Sequence, residues 1–384
     1  MPVDLRVHFD NAQATFYAGQ VVTGRVFVGI DKPKKIRGIT IKFKGEAEVK
    51  WTESHNVRGS DGKHHTKYTH YSGHEMYCNN EYYLVGNGGE MELPAGQYNY
   101  PFQYQVPITA PSSFEGVHGH IRYTAKAVMD RPWKIDNECK VAFTVVCPLD
   151  LNTLPQVKQP IQYENSKHFC CLWCKSGPLT VTIRLPVSGY VPGQTIPFQI
   201  EIENASNVIV QPINCVLRKE VTWHARSPRH QTRVTKAVLA DIAVDDAVHA
   251  HDTKCFSKDI VVPPVPPSNL SNCGIIDLEY ALKVSVSPAS APAPEPAPGP
   301  HFGGGWNIPA PQEPGIPQPT DPSFAPSAPP QYPELPPPSY EECIFQGNNI
   351  KDASDNEYTT GQDFTPRYPV WAFSQPMGAL GRLM

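Results

Sequence analysis

The sequence predicts an all-β fold: two tandem β-sandwiches followed by a disordered, proline-rich tail. Three observations predict it. Residues 3–286 alternate apolar and polar side chains in short runs broken by Gly, Pro, Asn and Asp. The order of those runs repeats once along the chain. Finally, 19 of the 42 prolines crowd into residues 288–338, together with four acidic residues and no Lys or Arg. Period-2 alternation marks half-buried strands, and many short strands separated by turn signals mark a sandwich. No comparable stretch carries a helical apolar stripe.

The first copy opens with "LRVHF" (5–9), "VVTGRVFVGI" (21–30) and "ITIKFKGEAEVKW" (39–51). It goes on through "IRYTAKAVM" (121–129) to a last strand, "CKVAFTVV" (139–146). The second copy begins at "GYVPGQTIPFQIEIENASNVIVQPINCVLRKEVTW" and ends on "LEYALKVSV" (278–286). Aligned, Gly19-Gln20 falls on Gly193-Gln194, Trp51 on Trp223, and Tyr123 on Tyr280. The glycines are expected in tight turns and the tryptophans in large apolar contacts. The repeat fails at one place. After Val286 the second copy passes straight into "SPASAPAPEPAP", with nothing to match 139–146, so its closing strand is missing or borrowed. The expected layout is a first sandwich at 1–152, a linker at 153–170, a second sandwich at 171–287 and a disordered tail at 288–384. The tail is too poor in apolar side chains to offset the entropy of ordering.

Composition narrows the function. A net charge of −4 with 18% charged residues gives no global field for nucleic acid or acidic lipid. The start, "MPVDLRVHFD", has neither the basic nor the apolar region of a signal peptide. No run reaches the length of a membrane span. Ten cysteines without a disulfide-like spacing fit a reducing compartment, so a cytoplasmic chain is expected. The acceptor patterns at Asn204 and Asn269 are then idle. No nucleophile elbow, P-loop, HExxH or dinucleotide fingerprint occurs, so neither an enzyme nor a cofactor is expected.

Three clusters carry competing readings. His55, His64, His65, His70, His74 and Cys78 offer zinc-type donors, but their spacing fits no closed tetrahedral set. A polar loop between strands is expected there, as is a turn-plus-strand role for His118 and His120. Cys170, Cys171 and Cys174 form one Cys-x2-Cys without a second pair. They are read as incidental thiols on a strand, with palmitoylation as the sharper alternative. No metal is expected. Lys32, Lys34, Lys35 and Arg37 form a basic run that is either a solvated hairpin tip or a patch for acidic cargo.

In the tail, two Pro-Pro-x-Tyr motifs stand close together: Pro329, Pro330 and Tyr332, then Pro337, Pro338 and Tyr340. Together with "LPAGQYNYPFQYQVP" (93–107), "GHIRYTAKAVMDRPW" (119–133), "SGPLTVTIRLPVSGYVPGQ" (176–194) and "FTPRYPVW" (364–371), they give the chain its resemblance to the arrestin domain-containing proteins, the α-arrestins. The resemblance implies two arrestin-type, immunoglobulin-like sandwiches. It also implies a cytosolic adaptor that joins membrane cargo, such as receptors or transporters, and the endocytic machinery to WW-domain ubiquitin ligases of the HECT class, at the plasma membrane and endosomes. The Ile-Gly-Thr-like segment with which the family usually closes its second sandwich is absent here.

The motif chemistry fits that implication. A polyproline II helix has three residues per turn, so Pro337 and Tyr340 share a face. The prolines are close to their bound shape before docking, and the tyrosine fills a neighbouring pocket. The two tyrosines are at most about 25 Å apart at roughly 3.1 Å per residue, so linked WW domains can take both. Two other classes stay open: a redox- or metal-responsive scaffold using the His and Cys clusters, and a sorting adaptor binding SH3 domains through Pro333-Glu-Leu-Pro336.

Overall fold

The computed structural model describes residues 3–58, 63–171, 174–288, 339–343, 348–357, 359–360 and 363–371. Both predicted sandwiches are present. The first is built from β1 (Asp4–Phe9), β2 (Thr15–Tyr17), β3 (Val21–Ile30), β4 (Lys34–Arg58), β5 (His64–Leu93), β6 (Gly96–Gln105), β7 (Phe114–Gly116), β8 (Gly119–Asp130) and β9 (Asn137–Val146). One sheet has the order β1-β3-β6; the other runs β2-β9-β8-β4-β5, with β7 on β8. The alternation read from sequence decides which side chains go inside. On β3, Val22, Val26, Val28 and Ile30 are buried; on β4, Ile39, Ile41, Phe43, Ala47 and Val49. Phe43 lies at the centre, stacked on Tyr104 at 4.4 Å and edge-on to Phe102 at 5.7 Å.

The second sandwich has β10 (Ile161–Cys171), β11 (Cys174–Leu185), β12 (Thr195–Asn204), β13 (Val210–Ala225), β14 (Gln231–Val244), β15 (Asp252–Val261) and β16 (Ile276–Pro288). Its sheets are β10-β11-β12-β15 and β14-β13-β16. Ile200, Ile202, Val210, Ile213 and Cys215 fill the space between them. Among the described residues no strand pairs with the far edge of β16, at the place where the repeat lacks a strand.

The repeat holds in three dimensions down to single hydrogen bonds. Gly19 and Gly193 have φ of +84° and +86°, the left-handed region that favours glycine. The Gly19 N–H donates to Val106 O at 3.1 Å, and the Gly193 N–H to Val262 O at 2.8 Å. Gln20 Oε1 accepts from the Tyr17 N–H at 2.8 Å, and Gln194 Oε1 from the Val191 N–H at 3.1 Å. The Tyr123 hydroxyl donates to Pro111 O at 2.8 Å and the Tyr280 hydroxyl to Pro266 O at 2.7 Å. The tryptophans diverge. Trp51 stacks on Tyr71 inside the first sandwich at 5.4 Å. Trp223 reaches across to the first sandwich and packs against Phe114 at 5.9 Å and His118 at 5.8 Å. With it, Val221, Ala225, Leu270, Ile275, Ile276 and Leu278 join the first sandwich's core, so the two domains share one apolar seam.

Three expectations are corrected. The His-rich stretch is no loop: it forms the ends of β4 and β5, a ladder in which His55 faces Lys67 and His70 faces Thr52. Its strands expose both faces near the tip, which removes the apolar alternation by which strands are read. Part of the expected linker is β10, paired to β11 from Ile161 opposite Leu185. Finally, the tail expected to be disordered over 288–384 is ordered in part. Residues 289–338 lie outside the described residues, but β17 (Ser339–Glu342), β18 (Asn348–Asn349), β19 (Asp363–Phe364) and β20 (Arg367–Val370) return to the folded body.

Candidate docking site on the first sandwich

On a sheet with one face on the core, the other face should be wet and polar. The outer face of β4, β8 and β9 is polar but largely dry: Arg122, Thr124, Lys126, Lys140 and Thr144 are all buried. The register sets Lys126 directly opposite Lys140 and Lys42 opposite Lys126. Like charges facing each other across strands are destabilising, and more so out of water. The chain answers with carboxylates from more than two hundred residues further on.

Lys140 Nζ lies 2.8 Å from Asp352 Oδ2 and 2.9 Å from Asp355 Oδ2. Lys126 Nζ lies 2.8 Å from Glu138 Oε2 and 3.0 Å from Asp355 Oδ1, and it donates to Ser354 O at 3.0 Å. Lys44 Nζ lies 2.6 Å from Glu46 Oε1 and 3.3 Å from Asp352 Oδ2. The two aspartates are held in a turn: Asp352 Oδ1 accepts from the Ser354 N–H at 2.8 Å, and Asp355 Oδ2 from the Asp352 N–H at 2.9 Å. Burial alone favours the neutral acid, but hydrogen bonds from Lys140 and Ser354 outweigh it and hold Asp352 well below the usual carboxylate range. Asp355 is lowered against the same burial by the Asp352 N–H, Lys140 and Lys126. Lys126 is raised: Glu138 and Asp355 outweigh the desolvation that opposes its charge.

Further along, Arg122 is clamped two-fold by Glu115, Nε to Oε1 and Nη2 to Oε2 both at 2.8 Å. Its remaining Nη1 donates to Asn349 O at 3.1 Å. The backbone of β9 continues outward, with the Lys140 N–H donating to Thr360 O at 3.1 Å. Tyr368 is 1% exposed and its hydroxyl donates to Ser113 O at 2.8 Å. The Arg367 N–H donates to Thr144 Oγ1 at 3.1 Å, and its guanidinium reaches Gln13 at 2.7 Å and Glu342 at 2.8 Å. The segment ends on the second sandwich, where the Trp371 N–H donates to Pro192 O at 3.1 Å. A Cβ on Gly193 would come within 2.2 Å of Trp371 O.

β20 also carries a partner. Antiparallel β17 sets Ser339 opposite Val370, Tyr340 opposite Pro369, Glu341 opposite Tyr368 and Glu342 opposite Arg367. The second tyrosine motif therefore contributes Tyr340 to a strand, while Pro329, Pro330, Tyr332, Pro337 and Pro338 lie outside the described residues. In the basic run, Lys34, Lys35 and Arg37 lie at the start of β4, just after Lys32. Arg37 is paired to Asp130, Nε to Oδ1 at 2.9 Å, so the run is partly neutralised there; Lys35 stands opposite Glu92 in the register. His118 sits between the two tryptophans, and burial together with nearby Arg233 lowers its pKa. His120 is pushed down to about 3, by burial first and then by Arg122. Cys170 and Cys171 face Lys175 and Cys174 across the β10–β11 ladder.

The sequence reading missed the lysine face and the aspartate turn. The only local signal was the spacing Asp352-x-x-Asp355 in an otherwise unpatterned stretch, which says nothing about a partner.

Family models match most of the folded part. The arrestin (or S-antigen) N-terminal domain matches residues 5–152 and the arrestin (or S-antigen) C-terminal domain residues 175–296. The chain is 32% identical to arrestin domain-containing protein 17 of Caenorhabditis elegans over 286 residues, which is 72% of this chain and 66% of that protein. It is 29% identical to arrestin domain-containing protein 1 of Mus musculus over 281 residues, 73% of this chain and 60% of the relative. To arrestin domain-containing protein 4 of Mus musculus it is 27% identical over 287 residues, 72% and 66% of the two chains. The chain thus spans 60 to 66% of the length of these relatives, less than two thirds.

Proposed function

The chain belongs to the arrestin family, among the arrestin domain-containing proteins, and from that premise we propose that it is an adaptor that recruits WW-domain ubiquitin ligases of the HECT class to membrane-protein cargo. The observation that carries this reading is the pair of Pro-Pro-x-Tyr motifs, at Tyr332 and Tyr340, downstream of two arrestin domains. The sandwiches hold cargo or the endocytic machinery, and the motifs bring the ligase, so that cargo is ubiquitinated and sorted at the plasma membrane and endosomes. Among the described residues no helix is long and apolar enough to cross a membrane. The basic run Lys32, Lys34, Lys35 and Arg37 is the proposed cargo patch, with Lys32, Lys34 and Lys35 its effective part because Arg37 is paired to Asp130.

Two motifs a short distance apart raise avidity on the order of a hundredfold or more over one when the ligase offers linked WW domains. Phosphorylation of either tyrosine places a dianion where an apolar pocket closes and weakens binding. The test is capture of a ligase WW array by the full chain. Tyr332→Ala with Tyr340→Ala abolishes it while both sandwiches stay folded, and capture that survives the double change removes the reading.

A further inference from the structure

Resting on that reading, we infer that the docked residues 348–357, 359–360 and 363–371 are a latch that closes the second tyrosine motif, holding Tyr340 in a strand until they leave the first sandwich. A WW groove takes its ligand as an isolated polyproline II segment with the backbone around the tyrosine free to be enclosed. Here Ser339 to Glu342 run as β-strand with β20 as neighbour, about 4.8 Å away, where the groove wall must come. The Cys343 N–H donates to Pro366 O at 2.9 Å and extends the pairing by one residue.

The ladder cannot hold itself. It has four residue pairs, and a two-stranded ribbon of that size is marginal in water. Pro369, the partner of Tyr340, has no N–H to give. What fixes β20 is its far side: buried Tyr368 on Ser113, Arg367 on Thr144 and Gln13, Trp371 on Pro192, and upstream the two aspartates on Lys44, Lys126 and Lys140. Access to the second motif is therefore tied to contacts more than 200 residues away in sequence, such as the pair Lys140–Asp355. Anything that competes for the lysine face or detaches Tyr368 frees the motif.

The experiment isolates the second motif by Tyr332→Ala in the full chain. Its affinity for a single ligase WW domain is compared, by calorimetry, with that of a free peptide spanning 334–345. The latch predicts binding at least about tenfold weaker in the chain than in the peptide, since apparent affinity falls with the fraction of competent chain. Adding Asp352→Lys with Asp355→Lys, or separately Tyr368→Ala, is expected to bring the chain to within about threefold of the peptide. Hydrogen exchange should rise at 339–342 while β8 and β9 stay protected. A Tyr332→Ala chain that binds as tightly as the peptide overturns the latch, and that comparison needs no latch variant to fold. If the peptide binds no WW domain, the ligase reading and the latch fall together; if it binds and the chain matches it, only the latch falls.

Discussion

The two sandwiches are copies that differ in how they are finished. In the first, the Ala18 N–H at the glycine turn donates to Val146 O at 3.0 Å, the end of its own closing strand β9. In the second, the matching residue is Pro192. It has no N–H, and its carbonyl accepts from the Trp371 N–H of the distant terminal segment. The turns agree in φ, in the glutamine that braces them and in the strand they meet, so the turn itself is indifferent to the source of its neighbour. The geometry that receives β9 in the first sandwich is thus kept in the second. Among the described residues, what meets the second turn is the distant terminal segment.

The largest test of that difference lies at the seam. Trp223→Ala should cost about 3–5 kcal/mol and separate a single denaturant transition into two, because Trp223 packs on Phe114 and His118 of the other domain. Trp51→Ala, on the matched position, should lower the single transition without splitting it; splitting by both changes would erase the distinction. Next comes the glycine pair. Gly19→Ala and Gly193→Ala each cost roughly 1 kcal/mol or more for a left-handed φ. Only Gly193→Ala also collides with the Trp371 carbonyl, and only it should raise hydrogen exchange at 367–371.

A smaller and reversible test uses acid. The folded pKa values of Asp352 and Asp355 are depressed, so their contribution is complete above the ordinary carboxylate pKa of about 4. It is lost as pH falls below that through the lowered values. Exchange at 367–371 should therefore increase below about pH 4 before β4 and β8 lose protection, and Asp355→Asn should remove part of that step. The smallest effect is expected at Lys219, whose pKa burial pushes down to about 8. The unfolded lysine holds its proton more tightly, so stability should rise between about pH 8 and 10. Lys219→Met should flatten that rise in thermal unfolding scans.

Much of the fold was legible because it is local. Alternation located β1, β3 and β8, the aligned Gly19/Gly193 pair announced a shared tight turn, and the Tyr123/Tyr280 pair a matched strand. β10 was not legible, since "IQYENSKHFCC" carries no apolar period. The outer halves of β4 and β5 face solvent on both sides and read as a loop for the same reason. The lysine face is a different case. Lys44, Lys126 and Lys140 obey the polar-outward rule, and alternation alone cannot say that the outward side is dry. That depends on Asp352, 308 residues from Lys44 and 212 from Lys140, and sequence periodicity has no reach at that distance.

The pairing of Lys140 with Asp355 also sets a timetable. The residues are 215 apart, and at 5–20 residues per second a ribosome takes roughly 10–40 s to make the second after the first. During that interval the completed first sandwich presents its opposed lysines without their final counter-charges. A nascent chain is thus a cation-faced domain for much of its synthesis, open to any polyanion nearby. Those lysines meet their counter-charges only once Asp352 and Asp355 emerge.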